Sequence, residues 1–262
     1  MASQNRYHAL VEKMFFDRYS DGDTNLPWAR PDLEQAAVDL DIALPKNLGD
    51  VVYSIRYRSP MPQSILDTQP EGMEWIISGE GRALYSFRLV PFNRIRPNEN
   101  LITIKIPDAT PEIIRTYAIS DEQALLAKVR YNRLIDIFLE LAAYSLQNHL
   151  RTTVQSIGQI EIDEIYVGVD KRGRQYIVPV QAKGGNDQLS VVQTEQDLKC
   201  CEEKYPNLVA RALSAQFMDE DLVALFELAV EDGQVKVVEE RHYRLVPAGE
   251  IEVEDLMRYR NG

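Results

Sequence analysis

Cysteine is nearly absent from the 262 residues. Only Cys200 and Cys201 occur, and neighbours in sequence seldom close an unstrained bridge. A disulfide framework is thereby excluded, and a four-ligand zinc site is short of thiols. Both cysteines are expected on a helix in a reducing compartment. Histidine is equally scarce: His8, His149 and His242 lie in unrelated segments without the spacing of a metal set or a catalytic triad, and read as structural. No apolar run approaches the roughly 20 residues that span a membrane. The opening Met-Ala-Ser-Gln-Asn-Arg lacks the apolar centre of a signal peptide. A cytoplasmic location is expected.

Positive charge is also in deficit, with a formal net charge of -12. Taken alone this argues against a nucleic-acid ligand, whose affinity comes largely from neutralised phosphates. Its distribution argues otherwise. From Asp219 onward twelve acids face five bases, whereas Lys46 to Arg96 carries seven bases (Lys46, Arg56, Arg58, Arg82, Arg88, Arg94, Arg96) against five acids. The acid is concentrated at the C-terminal end, leaving the N-terminal third able to face an anion.

At 45% hydrophobic, the chain has enough apolar residues for one large domain and a small accessory one. Leu10, Met14 and Phe15 at helical spacing predict a first helix over 6–19. Pro31 opens a second, with Leu33, Ala36, Ala37 and Leu40 on one face. Asn47 can cap a third, running to Arg58 with Leu48, Val51, Val52 and Ile55 buried and Tyr53 and Arg56 on the other side. Two strands around a glycine turn, Glu74–Ser78 and Ala83–Val90, follow. Three helices and a two-stranded wing resemble a winged helix-turn-helix domain over about residues 8–92. That resemblance implies that the third helix enters the major groove, with Lys46, Asn47, Tyr53, Arg56 and Arg58 as DNA contacts and Arg82 at the wing tip on phosphate. The competing reading is a protein-docking module.

The proline- and asparagine-rich stretch 93–111, with one alternating segment at Leu101–Ile106, predicts a boundary between an N-terminal domain, 1–95, and a second, 108–262. A capping box at Ser120 and Gln123 starts a long predicted helix through Leu125, Val129, Leu134, Ile137, Leu141 and Leu146, ending near His149, with a strand at 152–157.

The densest chemistry lies in 160–197. Alternation from Glu161 to Val169 puts Asp163 at the head of an otherwise apolar face. A turn at 170–174 returns the chain antiparallel, and Gln181 and Lys183 share a face of the next strand. One acid, one amide oxygen and one lysine converge at the strand ends. Further strands are expected at 208–217, 222–230 and 235–246, the last two joined at Asp232-Gly233. A helix for 219–230 is the weaker alternative, and the whole predicts an α/β domain with a mixed β-sheet flanked by helices.

Ile162-Asp163 followed by Gln181-Ala182-Lys183 resembles the PD-(D/E)xK nuclease superfamily over about residues 120–245, with glutamine in place of the second acid. Gly184-Gly185 and the helix carrying Gln193 and Asp197 resemble the glycine-then-glutamine segment of its resolvase-like and restriction-like members. The resemblance implies a restriction-endonuclease-like core and Mg²⁺ held by Asp163, the Gln181 side-chain oxygen and the Ala182 carbonyl. It implies that Lys183 orients or activates the attacking water and stabilises developing charge, with Gln193 beside them. Glu140 or, equally, Asp136 is placed to add a further acid, and Glu161 could substitute. The expected function is a Mg²⁺-dependent endonuclease of a restriction system, cutting double-stranded DNA as a homodimer. A non-catalytic DNA-binding or regulatory protein whose core has decayed at Gln181, or a structure-specific nuclease, are the alternatives.

Overall fold

A computed structural model describes residues 2–117, 122–184 and 187–260. They fall into two compact units, Met1–Asn93 with Thr153–Gln159, and Arg94–Thr152 with Ile160–Gly262. The division follows the chain at 93/94 and then returns a short second segment, the turn at 155–157 with its flanks, to the first unit.

The first unit runs α1 (Ala2–Phe16), β1 (Asn25–Ala29), α2 (Arg30–Asp39), α3 (Gly49–Tyr53), a π-helical turn (Ser54–Arg58), α4 (Gln63–Leu66), β2 (Glu74–Gly81) and β3 (Leu84–Val90). Its antiparallel sheet has the order β1-β3-β2. Leu10, Met14 and Phe15 of α1 are buried with Leu33, Ala36 and Ala37 of α2, as the 3.6-residue spacing requires. Phe15 meets Trp75 and Phe87 edge-on, with ring centres 5.0 and 5.3 Å away. Leu40 falls just past the end of α2 and is exposed rather than buried. The predicted third helix is α-helical only as far as Tyr53, after which Ser59 N–H bonds the Ser54 carbonyl five residues back. β1 is an unanticipated strand with proline at its centre. Pro27 has no N–H to give, and β1 is an edge strand, where that loss is tolerated.

The second unit contains β4 (Arg94–Ile95), β5 (Thr103–Pro107), α5 (Glu112–Tyr117), α6 (Glu122–Tyr131), α7 (Leu134–Leu139), β6 (Ala142–Val154), β7 (Gly158–Val169), β8 (Gln175–Lys183) and β9 (Leu189–Ser190). It continues with α8 (Val191–Lys204), β10 (Val209–Ala210), β11 (Ala212–Phe217), β12 (Leu222–Glu231), β13 (Gln234–Val246) and α9 (Val253–Arg260). The strands of the large sheet are ordered β5-β13-β12-β11-β8-β7-β6, and β10 also pairs with β8. It is mixed: β7–β8, β11–β12 and β12–β13 are antiparallel, while β8–β11 and β5–β13 are parallel. Tyr166, Val178, Val180, Ala182, Leu213 and Ala215 on one face pack with Leu126 and Val129 of α6 and Leu134, Ile135 and Phe138 of α7. α8 covers the opposite face, where its Asp197 meets Gln181. The architecture is α/β, a large mixed sheet flanked by helices. Among the described residues no helix is long and apolar enough to cross a membrane.

Two expectations are corrected. The long helix predicted through Leu146 is broken twice, at Arg133 (φ 51°) and Glu140 (φ 54°), both left-handed. Buried Asn132 holds the first break: its Oδ1 accepts from Ala109 N–H at 2.7 Å, and its Nδ2 donates to Thr110 Oγ1 at 2.9 Å and to the Lys128 carbonyl at 2.9 Å. Residues from Ala142 are then a strand, which ends at Val154 instead of running to 157. The predicted capping residue Ser120 lies outside the described residues. The alternating Leu101–Ile106 segment does not link domains; it enters the sheet as edge strand β5, parallel to β13. Both cysteines are buried in α8, and burial pushes the Cys200 thiol up to about 11.

On the α6 side of the sheet, fully buried Glu164 receives Arg130 (2.8 Å) and Ser145 on Oε1, while its Oε2 has no partner among the described residues. Burial alone would lower the Arg130 guanidinium's pKa, but the Glu164 charge raises it above its usual value. Removing one member of a buried pair strands the other's charge, at a cost of about 3 kcal/mol or more. Arg130→Met is therefore expected to lower urea-unfolding stability by about 3 kcal/mol. Arg130→Met/Glu164→Leu should recover most of that loss in the same measurement.

Candidate functional site

The hairpin β7–β8 forms as alternation and its turn dictate. Asp170 organises the turn by accepting from the N–H groups of Arg172 (2.8 Å) and Arg174 (2.9 Å), and the register runs from Val169 opposite Gln175 to Glu164 opposite Val180. Beyond that pair the ladder stops. From there side chains bridge the strands: Ala182 N–H donates to Asp163 Oδ2 at 2.9 Å, and Gln181 Nε2 donates to the Glu161 carbonyl at 3.1 Å. The site lies at the carboxyl end of β8, beside parallel β11 and before the start of α8. Crevices at the carboxyl ends of parallel strands are where α/β sheets bind ligands.

Asp163, Gln181 and Lys183 are brought together. Lys183 Nζ stands 4.0 Å from Asp163 Oδ2 and 2.6 Å from Glu122 Oε1 of α6. Gln181 is buried, and its Nε2 also donates to Asp197 Oδ2 at 2.9 Å, while its Oε1 is a buried acceptor without a donor among the described residues. Burial raises the Asp163 carboxyl above its ordinary range, opposed by the Lys183 charge and the Ala182 N–H. Burial would lower the Lys183 ammonium, yet Asp163 and Glu122 outweigh it and leave the pKa raised, so this lysine stays cationic at neutral pH. Asp197 is driven well above the carboxylate range by burial, the Gln181 hydrogen bond opposing.

The other expected members are placed differently. Ala182 turns its methyl group into the core and presents its backbone to Asp163. Gln193 is half-buried on the first turn of α8, one turn before Asp197. Gly185 is outside the described residues. Glu161 pairs with Arg151 (2.9 Å) and His149 (3.2 Å). Neither candidate for the further acid arrives: Glu140 is exposed past the end of α7, and Asp136 accepts from Ala143 N–H and pairs with Arg133. The acid that α6 does supply is Glu122, which pattern reading passed over, because only the folded chain sets it against a lysine 61 residues away. Among the described residues no three His, Cys, Asp or Glu side chains group as a metal set. A cation here would be held by mixed oxygens, the Asp163 carboxylate and the unmatched Gln181 Oε1, joined by the Ala182 carbonyl, which strand geometry turns to the same side as its N–H. That hard-oxygen set fits Mg²⁺.

In the first unit, Lys46 and Asn47 are exposed, and Asn47 is occupied with Asp50 (2.7 Å) and the Gly49 N–H (3.2 Å). Tyr53 is exposed on α3, and Arg82 is exposed at the β2–β3 turn, flanked by Gly81 (φ 130°) and Ala83 (φ 61°). Arg56 instead serves the fold: its Nε donates to the Ile77 carbonyl at 2.7 Å and its guanidinium lies 5.8 Å from the Tyr85 ring centre. The Arg58 side chain is outside the described residues.

A carboxyl raised on folding binds its proton more tightly in the folded than in the unfolded chain. Its contribution to stability is complete below the ordinary value of 3.8 and is lost as pH rises through the folded value. Asp197→Asn cannot titrate. In metal-free buffer its melting temperature is expected to exceed that of the parent by a margin that widens from pH 4 to pH 8, as thermal melts across that range would show. Comparison of the chain with protein-family models, with curated proteins and with solved structures finds no match.

Proposed function

We propose that the chain is a Mg²⁺-dependent endonuclease that hydrolyses phosphodiester bonds of double-stranded DNA. On this reading the second unit is a PD-(D/E)xK-like nuclease core with glutamine at the second position, and the first is a winged helix-turn-helix that reads DNA. The single observation that carries it is the convergence of Asp163, Gln181 and Lys183 where the β7–β8 ladder stops, with a buried oxygen acceptor left unmatched among the described residues. Asp163, Gln181 Oε1 and the Ala182 carbonyl would hold Mg²⁺, which when bound neutralises phosphate charge and acts as a Lewis acid. Lys183, cationic and held by two carboxylates, stabilises negative charge that develops on the phosphate. Its raised pKa suits it to donate hydrogen bonds and to orient water, not to take a proton. Helices α1 to α3 and the β2–β3 hairpin of the first unit, with exposed Lys46, Asn47 and Tyr53 and with Arg82 at the hairpin tip, support the DNA-reading role. A homodimer would set one such site on each strand.

Plasmid incubated with the protein and Mg²⁺ is expected to be cut. Asp163→Ala and Lys183→Ala should each cut about 100-fold or more slowly; equal cutting by all three proteins sinks the reading. Binding without cutting in either Mg²⁺ or Mn²⁺ would leave a DNA-binding protein with a decayed core. For the wing, Arg82→Ala is expected to weaken DNA binding alike for all sequences and to reduce the salt slope of log affinity by about one, read by fluorescence anisotropy against KCl concentration.

A further inference from the structure

The second position of the motif carries no charge, yet a carboxylate stands directly behind it. Gln181 Nε2 has two acceptors, the Glu161 carbonyl at 3.1 Å and Asp197 Oδ2 at 2.9 Å. They belong to β7 and α8. Asp197 is 2% exposed, and its Oδ2 accepts the Gln181 hydrogen bond. An amide has one oxygen and one nitrogen on opposite sides of its carbon. Two acceptors on the nitrogen side therefore fix which way the group faces, and the oxygen is left buried without a donor among the described residues. A cation would complete such an oxygen.

We propose that Asp197 is the positioning residue of this site: it anchors the Gln181 amide nitrogen from α8 so that Oε1 is presented to the cation. This rests on reading Asp163 and Gln181 as a cation site. Asp197 does not touch the cation or the substrate; it acts through Gln181, as partners behind metal ligands do. It follows that glutamine and aspartate are matched as donor and acceptor, and that an acid at position 181 is wrong for this chain while Asp197 is present. Gln181→Glu would set two carboxylates at hydrogen-bond distance in a buried place and leave the Glu161 carbonyl without its donor. Gln181→Glu/Asp197→Asn restores one donor and one acceptor with their positions exchanged.

The test is calorimetric titration of the full chain with MgCl₂, without DNA, for the parent, Asp163→Asn, Asp197→Leu, Asp197→Asn, Gln181→Glu and the double variant, with the melting temperature of each recorded in metal-free buffer. Asp163→Asn should abolish binding. Asp197→Leu, which removes the acceptor, should weaken it about tenfold to a hundredfold, and Asp197→Asn, whose Oδ1 still accepts, should stay within about threefold of the parent. Gln181→Glu should bind worse and melt lower than the parent, and the double variant should recover binding and part of the melting temperature, the Glu161 carbonyl still lacking its donor. A purely structural role for Asp197 would leave magnesium affinity unmoved. Asp197→Leu within twofold of the parent while Asp163→Asn loses binding overturns the inference and leaves the nuclease reading standing, as does Gln181→Glu binding more tightly than the parent. Unchanged affinity in Asp163→Asn overturns the cation site itself. Should Gln181→Glu fail to fold, the comparison of Asp197→Leu with Asp163→Asn still decides; should Asp197→Leu fail to fold, Gln181→Glu against its double variant decides.

Discussion

Where β7 and β8 part, side chains bridge the two strands in place of the backbone ladder. The Ala182 N–H is taken by the Asp163 carboxylate and the Glu161 carbonyl by the Gln181 amide. The bridges let two strands separate inside a covered sheet without orphaning these two backbone groups, which burial would penalise. The acid and the amide are thus committed to the backbone, as structural requirements before any chemistry is asked of them. Lys183 and Glu122 are then set by β8 and α6, elements joined through the Leu126, Val129 and Val180 core.

The place is consequently acidic where it is most buried and cationic at Lys183. Asp163 and Asp197 are buried carboxyls raised by desolvation, and Lys183, shielded from water, stays charged because acids flank it on both sides. Perturbed ionisation from burial plus a specific charged partner, concentrated at the carboxyl end of one strand, is what marks this place as the candidate site. Stability and the proposed use pull against each other there, since the carboxylates that burden the fold are the ones a cation would relieve.

How much of this could be read in advance depended on the range of the signal. The β7–β8 hairpin was legible because alternation, the turn at Asp170 and the motif spacing all act within about twenty residues, and these also brought Asp163, Gln181 and Lys183 to one place. The helix over 120–146 misled because Leu134, Leu141 and Leu146 satisfy a helical period on paper. Nothing local announces that Arg133 and Glu140 adopt left-handed backbone, a choice fixed by Asn132 gripping the loop at 109–110. β6 hid for a related reason: it is an edge strand exposed along most of its length, so no apolar alternation marks it. β5 was visible as alternation, but its prolines and asparagines argued for a linker, and only pairing with β13, some 140 residues away, makes it a strand. Glu122 and the role of Arg56 are likewise facts of tertiary contact, with no mark in their neighbours.

The two successive acids of β7 point to opposite faces. Asp163 meets Ala182 and Lys183 on one side, and Glu164 meets Arg130 and Ser145 on the other. Because a strand's faces alternate residue by residue, sliding β7 by one position would exchange the two environments, pulling each carboxylate away from its own partners. The pair thus works as a register lock: misaligned sheets are penalised on both faces at once, and the acid that serves the site is kept in place partly by the acid that does not.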